Sequence, residues 1–212
     1  MISDLTGKRV RPVGKNIEII GDAPVRGDIV ANGLTVLPWR EKIVDYSVPT
    51  FITQVWLITR DDSPLWPIRP SGHIQKDIAM VKALLKGHSV LGVKNTCLDP
   101  SLYGLKEAGA QIRFYEGNLN ELRPAILNRV AETTILDVPD ALIALEKWPG
   151  RIKVIGPVSP IQNMGCAFAR TSPRLRATFN QFFEQCKKNG TYIHLVTKYY
   201  PSVFDYYPEF FK

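Results

Sequence analysis

From residue 74 to residue 155 the apolar positions alternate between two spacings. Ile74, Ile78, Val81, Leu84 and Leu85 fall at helical intervals, and the run 89–93 reads as a buried strand. Asp99 or Ser101 can cap a helix to Ala108, with Gly109 as its stop. The run 111–115 reads as a strand, and a helix begun at Asn118 or Asn120 carries Leu122, Ile126, Leu127 and Val130. A strand at 133–136, a helix at 141–148 opened by Pro139, and a strand at 152–155 complete the series. Such βαβαβ alternation predicts an α/β fold with mostly parallel sheets and helices on both faces.

The flanks keep a different rhythm. Short apolar pieces at 8–13 and 17–20 are broken by Gly21, Pro24 and Gly27. Gly27-Asp28-Ile29-Val30 reads as a turn running into a strand that ends in Asn32, Gly33 and Thr35. Pro38 fits a first helical turn, and Arg40-Glu41-Lys42 after it favours a helix. The run 53–60 is a strand, and Pro64, Trp66, Pro67 and Pro70 mark an ordered loop. Beyond the turn at 156–160 come a strand at 165–169, a helix at 173–188 and a second at 191–199. Phe204, Tyr206, Tyr207, Phe210 and Phe211 form an aromatic tail expected to pack on the body.

Composition narrows the function classes. The 212 residues are 45% hydrophobic and 22% charged, ordinary for a soluble globular chain. The net charge of +7 is spread thinly and sits mainly in residues 166–212, with seven Lys/Arg against three Asp/Glu. No basic run interleaves with aromatics, which points away from nucleic acid. Cys97, Cys166 and Cys186 lie far apart, and neither they nor His73, His88 and His194 have the spacing of a metal site. No apolar run is long enough to span a membrane. The first residues lack the apolar core of a signal peptide, which read literally gives a cytoplasmic chain.

In open α/β sheets, ligands sit beyond the carboxyl ends of strands. Three such ends carry suitable chemistry: Gly33 and Thr35 with Arg40, Thr96 after the strand 89–93, and Asp137 after the strand 133–136. An arginine fork takes a carboxylate, helix N-termini add donors, and a buried aspartate wants a cation. Together they complement a zwitterion such as an α-amino acid. Each also has a plainer reading, Arg40 as a solvated side chain and Thr96 and Asp137 as caps of the helices that follow. No catalytic set, nucleotide loop or cofactor motif is present, and Asp137 and Asp140, three residues apart, are not marked as acid and base.

In ordered blocks, the chain resembles the amino-acid-binding solute-binding proteins of bacterial ABC transporters (solute-binding family 3, type 2 periplasmic-binding fold). The blocks are Gly27-Asp28 through Thr35, Arg40 and Val44-Asp45-Tyr46-Ser47-Val48-Pro49; Leu91-Gly92-Val93 with Thr96; and Leu136-Asp137-Val138-Pro139-Asp140-Ala141. Met164-Gly165-Cys166-Ala167-Phe168 and Ser172-Pro173 through Lys198-Tyr199-Tyr200 close the set, which covers residues 27–201. The resemblance implies two lobes, 1–52 with 166–212 and 53–165, hinged near 50–54 and 163–167 and closing on ligand. It gives Arg40 the ligand α-carboxylate, Thr35 and Gly33 further contacts to it, Thr96 a donor from the other lobe, and Asp137 the α-ammonium. It also implies an ABC permease as partner, no cofactor, no catalysis and a periplasmic or extracytoplasmic location.

The sequence departs from the family at the start, where the usual first strand and helix have no counterpart. Asn95 also stands where glycine is usual. The expectation is therefore a first lobe lacking its N-terminal strand and helix, whose open sheet edge could pair with a second copy. Two alternatives stay open: a sensory or regulatory module of the same fold, as in membrane-bound lytic transglycosylases, and an enzyme like the cyclohexadienyl dehydratases. Which amino acid would be bound is not legible; Trp39 is the nearest candidate for a specificity wall.

Overall fold

The computed structural model describes residues 29–117 and 119–206. The expected strands at 8–13 and 17–20, the Gly27-Asp28 turn, the Asn118 cap and the tail residues Tyr207, Phe210 and Phe211 lie outside them. The strands are β1 (Ile29–Thr35), β2 (Asp45–Tyr46), β3 (Phe51–Thr53), β4 (Val55–Arg60), β5 (Ser89–Gly92), β6 (Gln111–Phe114), β7 (Thr133–Asp137), β8 (Ile152–Pro157) and β9 (Gln162–Phe168). The helices are α1 (Ile74–Ala83), α2 (Leu122–Leu127), α3 (Val138–Lys147), α4 (Pro173–Lys188), α5 (Thr191–Tyr199) and α6 (Val203–Tyr206). The chain divides into two compact units, Met1–Ile52 with Asn163–Lys212 and Thr53–Gln162.

In the first unit β9 is the central strand. β1 and β2 pair with it antiparallel, Ile29 opposite Phe168 and Tyr46 opposite Ala167, and β3 pairs with it as well. The β1–β9 register shifts between Val30 and Leu34, around Gly33 at φ +69°, so the strand bulges just before Thr35. Leu34, Val44 and Ala167 pack together on this sheet with Trp39 and Tyr46 against them. A second cluster joins sheet to helices: Cys166 and Phe168 of β9 bury against Phe179 and Phe183 of α4. The rings step outward as Phe168–Phe179 (5.5 Å), Phe179–Phe183 (6.2 Å) and Phe183–Tyr192 (5.0 Å, edge-on). Each such pair adds about 0.5–1.5 kcal/mol beyond its burial.

The second unit holds a five-stranded sheet in the order β6-β5-β7-β4-β8. The parallel pairing predicted from the alternation is found at β5–β6 and β5–β7, whereas β4 pairs antiparallel with both β7 and β8. The sheet is therefore mixed. β5 and β7 are buried along their whole length, as strands covered on both faces are. α1 lies against β8, and α3 against β4, β7 and β8.

Three predicted helices are shortened, each for a local reason. After Pro38 the chain makes turns only, closed by Glu41 N–H to Leu37 O (3.1 Å) and Val44 N–H to Arg40 O (3.0 Å), before β2 begins at Asp45. So few residues cannot carry the cost of helix nucleation once the β-branched Ile43 and Val44 lead into a strand. The helix expected to reach Ala108 is a single 3₁₀ turn, Pro100–Tyr103, ended by Gly104 in the left-handed conformation. α2 stops at Leu127 because Arg129 is left-handed (φ +61°), with Arg129 N–H on Ile126 O and Val130 N–H on Ala125 O. That pair of bonds is a Schellman stop with arginine where glycine is usual.

Candidate functional site

The first unit gathers Gly33, Thr35 and Arg40 around the end of β1. Arg40 is 0% exposed and Thr35 2%. Arg40 Nη1 donates to the Thr35 carbonyl at 2.9 Å, and the Tyr46 hydroxyl donates to the same oxygen at 3.0 Å. The guanidinium carbon lies 5.0 Å from the centre of the Trp39 ring. Among the described residues, Arg40 Nε, Arg40 Nη2 and Thr35 Oγ1 are buried and have no hydrogen-bond partner. The plainer reading of Arg40 as a solvated side chain is thereby corrected: it is a buried cation with an unused Nε–Nη2 edge. That edge matches the fork with which arginine grips a carboxylate. Tyr46 was not legible as part of this site, because it reaches Thr35 only through the shared pairing of β1 and β2 with β9.

In the second unit, Thr96 lies just beyond β5 and Asp137 is the last residue of β7; the two strands are parallel neighbours, so both residues lie toward the same end of the sheet. Thr96 is locally satisfied. Its hydroxyl donates to Val93 O at 2.8 Å and accepts from Leu98 N–H at 3.0 Å. Asn95 in the same loop is left-handed (φ +60°), which explains how it stands in a glycine position: asparagine tolerates that conformation better than most residues. Its N–H donates to Asp99 Oδ2, while Asp99 Oδ1 caps Ser101.

Asp137 is 9% exposed and caps α3, its Oδ1 accepting from Asp140 N–H at 3.1 Å. The start of that helix is held by Val138 N–H, which donates to Gln54 O (3.0 Å) and Thr53 Oγ1 (3.2 Å). Burial, and after it the neighbouring Asp140 charge, push the Asp137 carboxyl up to about 7, against the bond from Asp140 N–H and the Arg123 charge. Arg123 of α2, also buried, places Nη2 3.3 Å from Asp140 Oδ1 and 2.8 Å from Asn120 Oδ1. Sequence reasoning missed Arg123, whose partner lies 17 residues away on another helix.

One unit thus carries a buried guanidinium with two unpartnered nitrogens, and the other a buried carboxyl at a strand end. The profile of the bacterial extracellular solute-binding proteins, family 3, matches residues 23–202, and the chain belongs to that family. Its fold is the two-lobed type 2 periplasmic-binding fold.

An ancestral arginine-binding protein bound to arginine has a TM-score of 0.76 at 21% identity, covering 94% of this chain and 84% of that one. The GluR0 ligand-binding core of Nostoc punctiforme, in complex with L-glutamate, has a TM-score of 0.72 at 19% identity, covering 94% and 86%. Among curated proteins, a membrane-bound lytic murein transglycosylase F of Desulfosudis oleivorans is 25% identical over 186 residues. That match takes in 85% of this chain, which spans 38% of the length of that relative.

Proposed function

We propose that this chain is a non-enzymatic receptor that captures an amino acid or similar zwitterion outside the cytoplasm for an ABC importer. The observation that carries the reading is the Arg40 guanidinium, fully buried with two nitrogens unpartnered beside the unpartnered Thr35 hydroxyl. A buried cation in that condition is costly until an anion engages it. The α-carboxylate takes the Nε–Nη2 edge and the Thr35 hydroxyl, with backbone at Gly33 beside them. Asp137 takes the α-ammonium, which draws its carboxyl back to the ionised form. Thr96 contributes its donor only if its hydroxyl leaves Val93 O.

Family membership supports this reading, as do the amino acids bound in the two structures of the same fold. The test is calorimetry against the common amino acids. Saturable binding that is lost in Arg40→Ala and Asp137→Ala supports the reading, and no binding to any of them overturns it. A second reading, a sensory or regulatory module, is favoured by the transglycosylase match. It predicts amino-acid binding without stimulation of any permease ATPase in reconstituted vesicles.

A further inference from the structure

Asp137 caps α3 and Asp140 lies three residues on in its first turn, where the Arg123 guanidinium pairs with it. Arg123 is 8% exposed, its Nη2 is shared between Asn120 and Asp140, and its Nε has no partner among the described residues. We propose that Arg123 is a positioning residue of the Asp137 half-site: by pairing with Asp140 it fixes one carboxylate of the pair as an ion and leaves Asp137 as the carboxyl that gains or releases a proton when a cationic group arrives. The proposal rests on the receptor reading of Asp137.

Geometry separates the two acids. Asp140 has a cation at 3.3 Å and a side chain 27% exposed; burial pushes its carboxyl up, and the Arg123 charge opposes this. Asp137 is more deeply buried, and among the described residues it accepts from the Asp140 N–H, which stabilises but does not neutralise it. The charged groups acting on Asp137 are Asp140 from its own helix and Arg123 from α2. From the segment before β4, Thr53 and Gln54 offer only neutral groups, spent on Val138 N–H. With Arg123 in place, Asp140 holds a fixed negative charge beside Asp137, and Arg123 partly offsets it. An arriving ammonium then pairs with a carboxylate that has just shed its proton, so ligand uptake releases a proton near neutral pH.

The experiment follows the ¹³C carboxyl signal of Asp137, assigned by its absence in D137N, through a pH titration of the ligand-free protein. The Asp140 signal is assigned in the same way by D140N. D140N is expected to lower the Asp137 midpoint, and R123Q to raise the Asp140 midpoint, each by about one unit or more. R123K is expected to return the Asp140 midpoint to within about half a unit of the wild type, since the charge is restored. An unchanged Asp137 midpoint in D140N, or an unchanged Asp140 midpoint in R123Q, overturns the proposal. Should R123Q fail to fold, an unchanged Asp137 midpoint in D140N overturns it. Because the titration needs no ligand, a chain that binds no amino acid fails the receptor reading by a separate measurement.

Discussion

Replacing Arg40 by methionine separates a ligand-binding arginine from a structural one, because the two roles predict opposite outcomes. The substitution removes one hydrogen bond from a charged donor, Arg40 Nη1 to Thr35 O at 2.9 Å, a loss of about 1.5–3 kcal/mol. It also removes the contact with the Trp39 ring at 5.0 Å, about 0.5–2 kcal/mol. Against this, two buried nitrogens without partners disappear, relieving about 1–3 kcal/mol each. The Thr35 carbonyl keeps its bond from the Tyr46 hydroxyl, so no acceptor is orphaned. The two sides nearly cancel, and ligand-free stability is expected to change by no more than about 2 kcal/mol. Binding is a different matter. A ligand carboxylate buried beside methionine lacks its cation, at a cost of about 3–5 kcal/mol, or two to nearly four orders of magnitude in Kd. Urea unfolding and calorimetry on the same preparation read both quantities. If R40M lost more than about 4 kcal/mol of stability while binding an amino acid as tightly as the wild type, the argument from the unpartnered nitrogens would be refuted.

Three further outcomes are expected. The Asp137 carboxyl, at about 7 folded against 3.8 for an unburied aspartate, binds its proton more tightly in the folded state. Its contribution to stability is full at low pH and is lost as pH rises through that window. D137N, which still accepts from Asp140 N–H, should therefore remove a fall on the order of 2–4 kcal/mol between pH 4 and 7, and the same pH dependence of unfolding free energy in the two proteins, measured by urea unfolding at each pH, would refute this. Gly92→Ala sets a Cβ 2.4 Å from the Leu98 carbonyl and the Pro100 ring, and backbone cannot yield cheaply. A loss of about 3 kcal/mol, some 6 °C in Tm, is expected, and an unchanged melt would contradict it. Phe179→Ala empties the centre of the aromatic cluster in the first unit, where Phe179 is 2% exposed, and should cost about 3–5 kcal/mol by chemical denaturation.

Much of this protein was written in local pattern. The apolar spacing of α1 and of α4, the buried runs at β5 and β7, and the polar residues at their ends depend on neighbours within a few positions. The chain alone carries that kind of information. Arg40, Thr35 and Asp137 could be nominated in the same way, from residue type at strand ends. Helix length after Pro38 and Asp99 was less legible, since propensity there competed with a strand at Asp45 and a left-handed Gly104.

What the sequence by itself determined is the α/β alternation, the family blocks and the chemistry on offer at three strand ends. Tertiary structure alone decided how that chemistry is used. It buried Arg40 completely and left half its fork unspent, and it brought Tyr46 to Thr35 across strands that share β9. It spent the Thr96 hydroxyl on its own loop, and it set Arg123 beside Asp140. Burial and partnership are properties of pairs distant in sequence, and they fix both the charge state of a carboxyl and the need of a guanidinium for an anion.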